Sequence, residues 1–343
     1  MKPIRVAING FGRIGRSFVR RSWNRSDIEL VAINDLGSLE NLAYLLEHDT
    51  VYGHSPFTVE IKNGAFFIND KEVKFLSEKD PANLPWKDLG IDIVVESTGF
   101  FTDYDKANAH ILAGAKRVVI SAPAKEGETQ TVGETVLMGV NIDMLKKGKI
   151  SSNGSCTTNA SSPVIAIMDE AFGIELALLN TTHAYTATQS VVDGPVKGSD
   201  LRKGRAAAQN IVPTSTGAAI AVTKAYPNLV GKFDGIALRV PVAAGSIADV
   251  TFLAKRETSV EAVNEALTNA AKSEQWQGIF VVTNEPVVSS DIVGQPFAAI
   301  ADLAMTRVVG GKLVKVLTWY DNEVGYTETL VRHVEAAGAL IQR

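Results

Sequence analysis

A thiol, an imidazole and a guanidinium carry the chemical promise of this chain. Cys156 is the only cysteine among 343 residues, and it stands in Ser152-Asn-Gly-Ser-Cys-Thr-Thr-Asn159. The run from Ala160 to Ala166 then reads as helix, so the cysteine sits where a polar turn enters a helix. A thiol there meets unpaired backbone N–H groups and the positive end of the helix dipole. Both favour thiolate, the reactive form, over thiol. A lone cysteine is commonly a small core residue. A core position has no use for Ser155, Thr157, Thr158 and Asn159 as neighbours, so the sequence predicts a nucleophile with a stabilised thiolate.

A cysteine nucleophile needs a base close by. His183, one of five histidines, ends an apolar segment and precedes the polar tail Ala-Tyr-Thr-Ala-Thr-Gln. Read from these residues alone, it serves equally well as a hydrogen-bonded strand-end histidine. Arg239 interrupts Ile236-Ala-Leu-Arg-Val240 and requires an anion or carbonyl partner there. Phosphate matches guanidinium geometry, and a protein carboxylate would also satisfy it. Thr214-Ser-Thr-Gly217, with Thr186 and Thr188, adds hydroxyl and backbone donors of the kind that surround phosphates.

The elements that must position these groups change character halfway along the chain. Ile4 to Ile8 reads as a buried strand, Asn9-Gly-Phe-Gly-Arg-Ile-Gly15 as a turn, and Arg16 to Trp23 as a helix. Gly10, Gly12 and Gly15 form G-x-G-x-x-G in the strand–turn–helix context that gives this motif meaning. Glu29 to Asn34 reads as a second strand ending at Asp35, twenty positions after Gly15, the spacing of a carboxylate that holds an adenosine ribose. Further segments alternate: helix Leu39–Glu47, strand Ile91–Glu96, helix Asp103–Gly114 and strand Arg117–Pro123. Small residues beyond strand ends line the ligand crevice of open parallel sheets, which nominates Thr98, Gly99 and Ser121 as cofactor contacts.

After Cys156 the alternation stops. Ala177–His183, Gly235–Val242, Ile247–Leu253 and Leu313–Tyr320 read as strands, with Val260–Lys272 a helix and Thr327–Ile341 an amphipathic one. Grouped strands predict a mostly antiparallel sheet. The expected fold class is therefore an α/β Rossmann dinucleotide-binding domain followed by an α+β catalytic domain. A weakly patterned segment from Gln189 to Arg205 carries Asp-Gly-Pro at 193–195 and Lys-Gly-Ser at 197–199. Runs of that length inside compact domains serve binding or assembly.

Composition excludes several classes. With 34 basic and 38 acidic residues the net charge is −4, which offers no basic face for nucleic acid. A single cysteine forms no internal disulfide and fits a reducing compartment. The N-terminus enters a strand at once and no apolar run is long enough to span a bilayer. The expectation is a cytoplasmic protein with no membrane partner.

The chain resembles the phosphorylating glyceraldehyde-3-phosphate dehydrogenase family along its whole length. The matching segments are Val6 to Arg16, Ser152 to Asn159, Thr182 to Gln189, Gly204 to Ile211 with Pro213 to Ala218, Leu238 to Pro241, and Trp319 to Tyr326. The resemblance implies NAD-dependent oxidative phosphorylation of glyceraldehyde 3-phosphate, with inorganic phosphate as second substrate. It implies Cys156 as nucleophile and His183 as its base. Gly10, Gly12, Arg13, Ile14, Asp35, Lys79, Thr98, Gly99, Ser121 and Asn322 would hold NAD, Asn322 at the nicotinamide carboxamide. Thr186 and Arg239 would hold the substrate phosphate, and Ser155, Thr157, Thr216 and Gly217 the attacking phosphate. It further implies a Rossmann domain over 1–154 completed by a C-terminal helix over 322–343, a catalytic domain over 155–321 with an S-loop at about 189–205, and a homotetramer.

This chain departs from the family pattern at Gly154, where alanine is usual, at Ala160, where a second cysteine is frequent, and at Lys203 and Val324. Two alternatives stay open: erythrose-4-phosphate dehydrogenase on the same scaffold, and a catalytically silent redox-sensing or binding protein. The first generally lacks the threonine and the Asp-Gly-Pro that stand here as Thr186 and 193–195; the intact catalytic set and acidic charge oppose the second. Asp35 favours NAD, while Gly37 and Lys79 leave NADP use open.

Overall fold

Short apolar segments alternating with helices build a largely parallel sheet from the first part of the chain, as such alternation requires. The computed structural model describes residues 2–129, 131–196 and 198–341. It divides into two compact units, one of Met1–Val136, Ile142–Gly154 and Thr327–Arg343, the other of Leu137–Asn141 and Ser155–Tyr326.

The first unit contains β1 (Ile4–Asn9), α1 (Arg13–Ser22), β2 (Ile28–Asn34), α2 (Leu39–Glu47), the two-residue strands β3 (His48–Asp49) and β4 (Gly53–His54), then β5 (Val59–Lys62), β6 (Ala65–Ile68) and β7 (Lys71–Leu76). It continues through β8 (Ile93–Glu96), α3 (Tyr104–Leu112), β9 (Arg117–Ile120), β10 (Gly133–Thr135) and β11 (Ile150–Ser152). Nine strands form one sheet in the order β10-β11-β9-β8-β1-β2-β7-β6-β5. The pairs from β10 to β7 are parallel, and β6 and β5 extend the edge antiparallel. β8 is buried at every position, as a central parallel strand covered on both faces must be. In register, Asn9 of β1 lies level with Asn34 of β2 and Glu96 of β8. Three polar residues thus close the carboxyl ends of three central strands, where α/β sheets bind ligands.

The helix expected from Arg16 begins at Arg13, directly after the glycine turn. The β5–β7 meander went unread in the sequence although it carries a hairpin signature. Asn63-Gly64 and Asn69-Asp70 both take positive φ, at 53°, 79°, 46° and 62°, as two-residue turns between antiparallel strands demand.

The second unit contains α4 (Cys156–Phe172), β12 (Ile174–Ala184), β13 (Val212–Ser215), α5 (Ala218–Ala225), β14 (Phe233–Val240), β15 (Ser246–Ala254), α6 (Val260–Ala271), β16 (Phe280–Thr283), α7 (Ser289–Ile292), β17 (Ala299–Val309) and β18 (Leu313–Tyr320). Its seven strands run β13-β14-β12-β15-β18-β17-β16, and only β12–β14 and β16–β17 pair in parallel. The mostly antiparallel reading holds. β15 alternates buried and half-buried residues along its length, and α4 packs on β12, β15, β17 and β18. The sequence reading missed β13, β16, β17 and α5; the last is a short apolar run, Ala-Ala-Ile-Ala-Val-Thr-Lys-Ala, without helical period.

The 189–205 segment forms no strand among its described residues. It folds on itself through Ser190 N–H to Lys203 O at 3.0 Å and Gly194 N–H to Gly204 O at 2.9 Å. Lys197 lies outside the described residues. α8 (Val324–Ala339) starts one turn earlier than expected, and residues 342 and 343 of the anticipated helix lie outside the described residues. Over Thr327–Val331 it is buried at every position rather than amphipathic. There Glu328 pairs with Arg21 at 2.9 Å and with Arg25, and His333 bonds Ser151 at 2.8 Å and Asn153 at 3.1 Å, all within the first unit.

Candidate active site

Ser155 caps α4 and places Cys156 at its first residue. The Ser155 hydroxyl accepts from Thr158 N–H at 3.1 Å while Thr158 Oγ1 accepts from Ser155 N–H at 3.2 Å, closing a capping box. This geometry leaves the cysteine on the exit side of a tight turn. Its Sγ lies 3.3 Å from His183 Nε2, within reach for proton transfer. His183 is the penultimate residue of β12, and its Nδ1 lies 2.7 Å from the Ala184 carbonyl oxygen. In the tautomer that carries its hydrogen on Nδ1, the Nε2 lone pair faces the sulfur. Tyr320 stacks edge-on against the imidazole, with centroids 5.9 Å apart and planes at 71°. Its buried hydroxyl joins Thr157 Oγ1 at 2.9 Å and Thr181 Oγ1 at 2.8 Å. Sequence reasoning missed Tyr320 and Thr181; Tyr320 lay inside a quoted motif, but nothing in its type announced a contact with His183.

Arg239 lies opposite His183 in the parallel β12–β14 register. Its NH1 donates to Ala184 O at 3.1 Å and stands 2.5 Å from His183 Nδ1. The partner the sequence demanded is therefore a carbonyl; among the described residues no carboxylate pairs with this guanidinium. Burial, then the adjacent Arg239 charge, push His183 down to about 3.

The expectation of a stabilised thiolate is corrected in direction. Burial pushes the Cys156 thiol up, and Arg239, Thr157 and the helix-start N–H groups oppose it without overcoming it. Cys156 keeps part of its surface in solvent, so burial acts on it more weakly than on a core group. Both groups are thereby pushed toward their neutral forms, and His183 is poised to take the thiol proton rather than to hold a preformed ion pair.

The other nominated groups of this unit stand as follows. Thr186 Oγ1 lies 2.9 Å from Thr188 Oγ1. Thr216 Oγ1 accepts from Ala218 N–H, the first of α5, at 3.2 Å, and the N-cap residue Gly217 has no side chain to cap the helix itself. Thr157 is buried on the Tyr320 hydroxyl, 4.0 Å from Sγ. Asn322 Oδ1 accepts from Ser246 Oγ at 3.0 Å, so its Nδ2 is the end that would donate to a carboxamide oxygen.

In the first unit, the strand ends surround a cavity of about 440 Å³ lined by residues that include Gly10, Gly12, Asp35, Lys79 and Thr98. Gly10 takes φ +97°, and a Cβ there would meet Thr98 N at 2.5 Å; one on Gly15 would meet Gly10 O at 2.3 Å. Around Gly12 a Cβ would find open space, and Gly12 caps α1 with no side chain on its N–H groups. An open glycine at an uncapped helix start suits a pyrophosphate. Asp35 is held by Phe11 N–H at 2.6 Å and Gly37 N–H at 2.7 Å, one on each oxygen. A Cβ at Gly37 would lie 3.2 Å from Asp35 Oδ1 and 3.3 Å from Leu42 Cδ1, so that position is not the open space the sequence suggested. Arg13 pairs with Asp49 at 2.6 Å, Ile14 is half-buried, Lys79 and Gly99 are exposed, and Ser121 N–H bonds Glu96 O at 2.9 Å. Among the described residues no cluster of three or more acidic, histidine or cysteine side chains could hold a metal ion, and no helix is long and apolar enough to cross a membrane.

Comparison with known proteins agrees with both units. Residues 4–104 match the family model described as glyceraldehyde 3-phosphate dehydrogenase, NAD binding domain, and residues 155–322 match the corresponding C-terminal domain. The chain is 47% identical over 331 residues to glyceraldehyde-3-phosphate dehydrogenase 1 of Streptomyces avermitilis, covering 96% of each chain. It is 46% identical over 332 residues to glyceraldehyde-3-phosphate dehydrogenase of Clostridium acetobutylicum, again covering 96% of each. With a capped cysteine facing a histidine in one unit, a dinucleotide turn in the other and relatives matched nearly end to end, the chain belongs to the glyceraldehyde 3-phosphate dehydrogenase family.

Proposed function

We propose that this chain catalyses the NAD-dependent oxidative phosphorylation of glyceraldehyde 3-phosphate to 1,3-bisphosphoglycerate. The observation that carries the reading is the 3.3 Å approach of Cys156 Sγ to His183 Nε2, beside Arg239. His183 takes the thiol proton as sulfur adds to the aldehyde carbon. The Cys156 backbone N–H at the helix start stabilises the developing oxyanion. His183 returns that proton to the oxyanion, giving the thiohemiacetal, and, neutral again, accepts the hydroxyl proton as the C–H hydride departs, leaving a thioester on Cys156. When bound, NAD supplies the hydride acceptor. A phosphate oxygen attacks the thioester carbonyl, the C–S bond breaks, and acyl phosphate leaves with Cys156 restored. Covalent capture divides one difficult step into two easier ones.

In this reading Arg239 and Thr186 hold the substrate phosphate. Ser155, Thr157, Thr216 and Gly217 hold the attacking phosphate, with backbone N–H groups at the α5 start as further donors. The glycine turn, Arg13 and Ile14 face the pyrophosphate, Asp35 the adenosine ribose, Lys79, Thr98, Gly99 and Ser121 the rest of the cofactor pocket, and Asn322 the carboxamide. The domain division in this reading is 1–154 with the C-terminal helix 322–343, and 155–321; the two compact units support it except that 137–141 and 322–326 group with the second unit. The protein works in the cytoplasm as a homotetramer. Support for assembly comes from the uncovered face of the second sheet, where Leu178 (66%), Ile220 (60%) and Leu176 (54%) stand exposed around an apolar cavity of about 730 Å³. Val191 and Val192 of the 189–205 segment are likewise exposed. Apolar patches of this kind mark association surfaces.

The deciding measurement compares turnover of glyceraldehyde 3-phosphate and erythrose 4-phosphate with and without inorganic phosphate. Faster, phosphate-dependent reduction of NAD with the triose is expected. Preference for the tetrose would overturn the reading in favour of the sister activity, which draws no support from the relatives' names. Sedimentation showing a fully active monomer would remove the tetramer.

A further inference from the structure

We propose that Glu96, a buried carboxylate that touches neither substrate nor cofactor in the reaction above, is the positioning residue of the dinucleotide pocket. It fixes the four loops that line the pocket through a single hydrogen-bond chain of fixed polarity. The proposal rests on the reading that this pocket takes a dinucleotide.

Glu96 ends β8 and is 1% exposed; Asn9, Asn34 and His110 beside it are also buried. Its Oε1 accepts from Thr98 N–H at 2.8 Å and Thr98 Oγ–H at 2.5 Å. Its Oε2 accepts from Asn9 Nδ2 at 2.6 Å and lies 3.1 Å from His110 Nε2. Asn9 Oδ1 accepts from Asn34 Nδ2 at 2.7 Å. Asn34 in turn donates to Glu78 O at 2.9 Å and accepts from Glu78 N–H at 2.8 Å. The chain Thr98–Glu96–Asn9–Asn34–Glu78 thus runs through the segments following β1, β2, β7 and β8. Asn9, Asn34, Glu78 and Thr98 all line the cavity.

Donor and acceptor directions along this chain are determined at both ends. Trp86 Nε1–H can only donate, and it lies 3.0 Å from His110 Nδ1. Nδ1 must therefore accept, which leaves the hydrogen on Nε2, pointed at Glu96. At the far end, the Glu78 backbone pair sets the Asn34 amide, and Asn34 sets the Asn9 amide with its NH₂ toward Glu96. Phe100 N–H donates to Thr98 Oγ1 at 3.0 Å, so that hydroxyl's own hydrogen goes to Glu96. Four donors converge on two oxygens. Only a group that accepts on both sides satisfies them, and an amide cannot. Unsatisfied buried donors repel and open such networks.

The test is NAD binding by calorimetry on the full chain. It compares wild type, Glu96→Gln, Asn9→Asp and the double variant, at a temperature where near-ultraviolet circular dichroism shows each folded. Glu96→Gln should weaken NAD by roughly 10–100-fold, the order expected for stranding one or two buried donors. It should raise KM for NAD while leaving kcat at saturation, and the iodoacetamide labelling rate of Cys156, within about threefold. Asn9→Asp alone sets two carboxylates together and should weaken binding as well. Combined, the two changes move the carboxylate across the same hydrogen bond, where it accepts from the introduced amide, from Asn34 and from His110, which already lies 3.4 Å from Asn9 Nδ2. Recovery of most of the lost affinity in the double variant supports the proposal, because a merely structural lesion would be deepened by a second substitution. Wild-type affinity in Glu96→Gln overturns it, and so does a double variant no tighter than the weaker single one. If Glu96→Gln alone is insoluble, a soluble, NAD-binding double variant supports the assignment and an insoluble one overturns it. Wild-type protein that bound no NAD would remove the dinucleotide reading itself, and the proposal with it.

Discussion

Replacing His183 by Asn removes the only imidazole within reach of Cys156 and tests the centre of the mechanism. The side chain contributes at two stages. Before substrate arrives, Nε2 at 3.3 Å is the group that takes the thiol proton, leaving a thiolate that accepts a hydrogen bond from the imidazolium so formed. A hydrogen bond involving an ionised group is worth about 1.5–3 kcal/mol, so the thiolate population should fall roughly 10- to 100-fold without it. During turnover the same nitrogen takes the hydroxyl proton, and a general base contributes about 10²–10⁴-fold. At about 1.4 kcal/mol per tenfold, that is about 3–5 kcal/mol of barrier. The assay is clean because the chain holds one thiol. Iodoacetamide labelling at pH 7, followed by intact mass, reads the first effect, and NADH formation reads the second. We expect labelling to slow at least tenfold and kcat/KM to fall by at least a hundredfold, with kcat carrying most of the loss. Equal labelling rates in the two proteins would refute the pairing. Slowed labelling with intact turnover would show that another group accepts the hydroxyl proton.

Asp35 should set cofactor choice. A 2′-phosphate beside its clamped carboxylate meets a repulsion on the order of 4 kcal/mol per unit-charge pair at 4 Å and an effective dielectric of 20, before screening. The kcat/KM ratio should therefore favour NAD by about 10²-fold or more and collapse in Asp35→Ala, whereas equal wild-type use of NADP would implicate Lys79. Gly154 takes φ +64° just before the nucleophile turn. Gly154→Ala should cost about 1–2 kcal/mol of stability, and unchanged urea unfolding would refute the strain. His333 is held down to about 3 by burial and then by Arg117; because its folded value lies below its unfolded one near 6.5, its contribution is present above pH 6.5 and lost as pH falls toward 3. His333→Gln should flatten the stability–pH slope between pH 6 and 4 by up to one proton, and an unchanged slope would show that His333 does not bear that load.

What the sequence disclosed follows from which interactions are local. The glycine turn, Asp35 and Cys156 were legible because their meaning lies within a few residues: a strand, a tight turn, a helix start. Arg239 was half legible. An arginine inside an apolar strand announces that a partner exists, but only the parallel register of β12 and β14 makes that partner the Ala184 carbonyl and seats the charge against His183. The same non-local pairing explains why the expectation of a lowered thiol failed. Helix-start amides are readable from sequence and do lower the thiol, whereas the burial that outweighs them is assembled from β12, β14 and β18 and cannot be read from residues 152–159. Glu96 was invisible for a related reason. It reads as the polar end of an apolar strand, and two of its four donors come from β1 and α3, far away in sequence. The opposition at the active site now has a direction. Burial, and then a guanidinium 2.5 Å from Nδ1, suppress the imidazolium, and a substrate phosphate drawn to Arg239 would offset the second of these. The base would then strengthen only when the aldehyde it must serve is already in place.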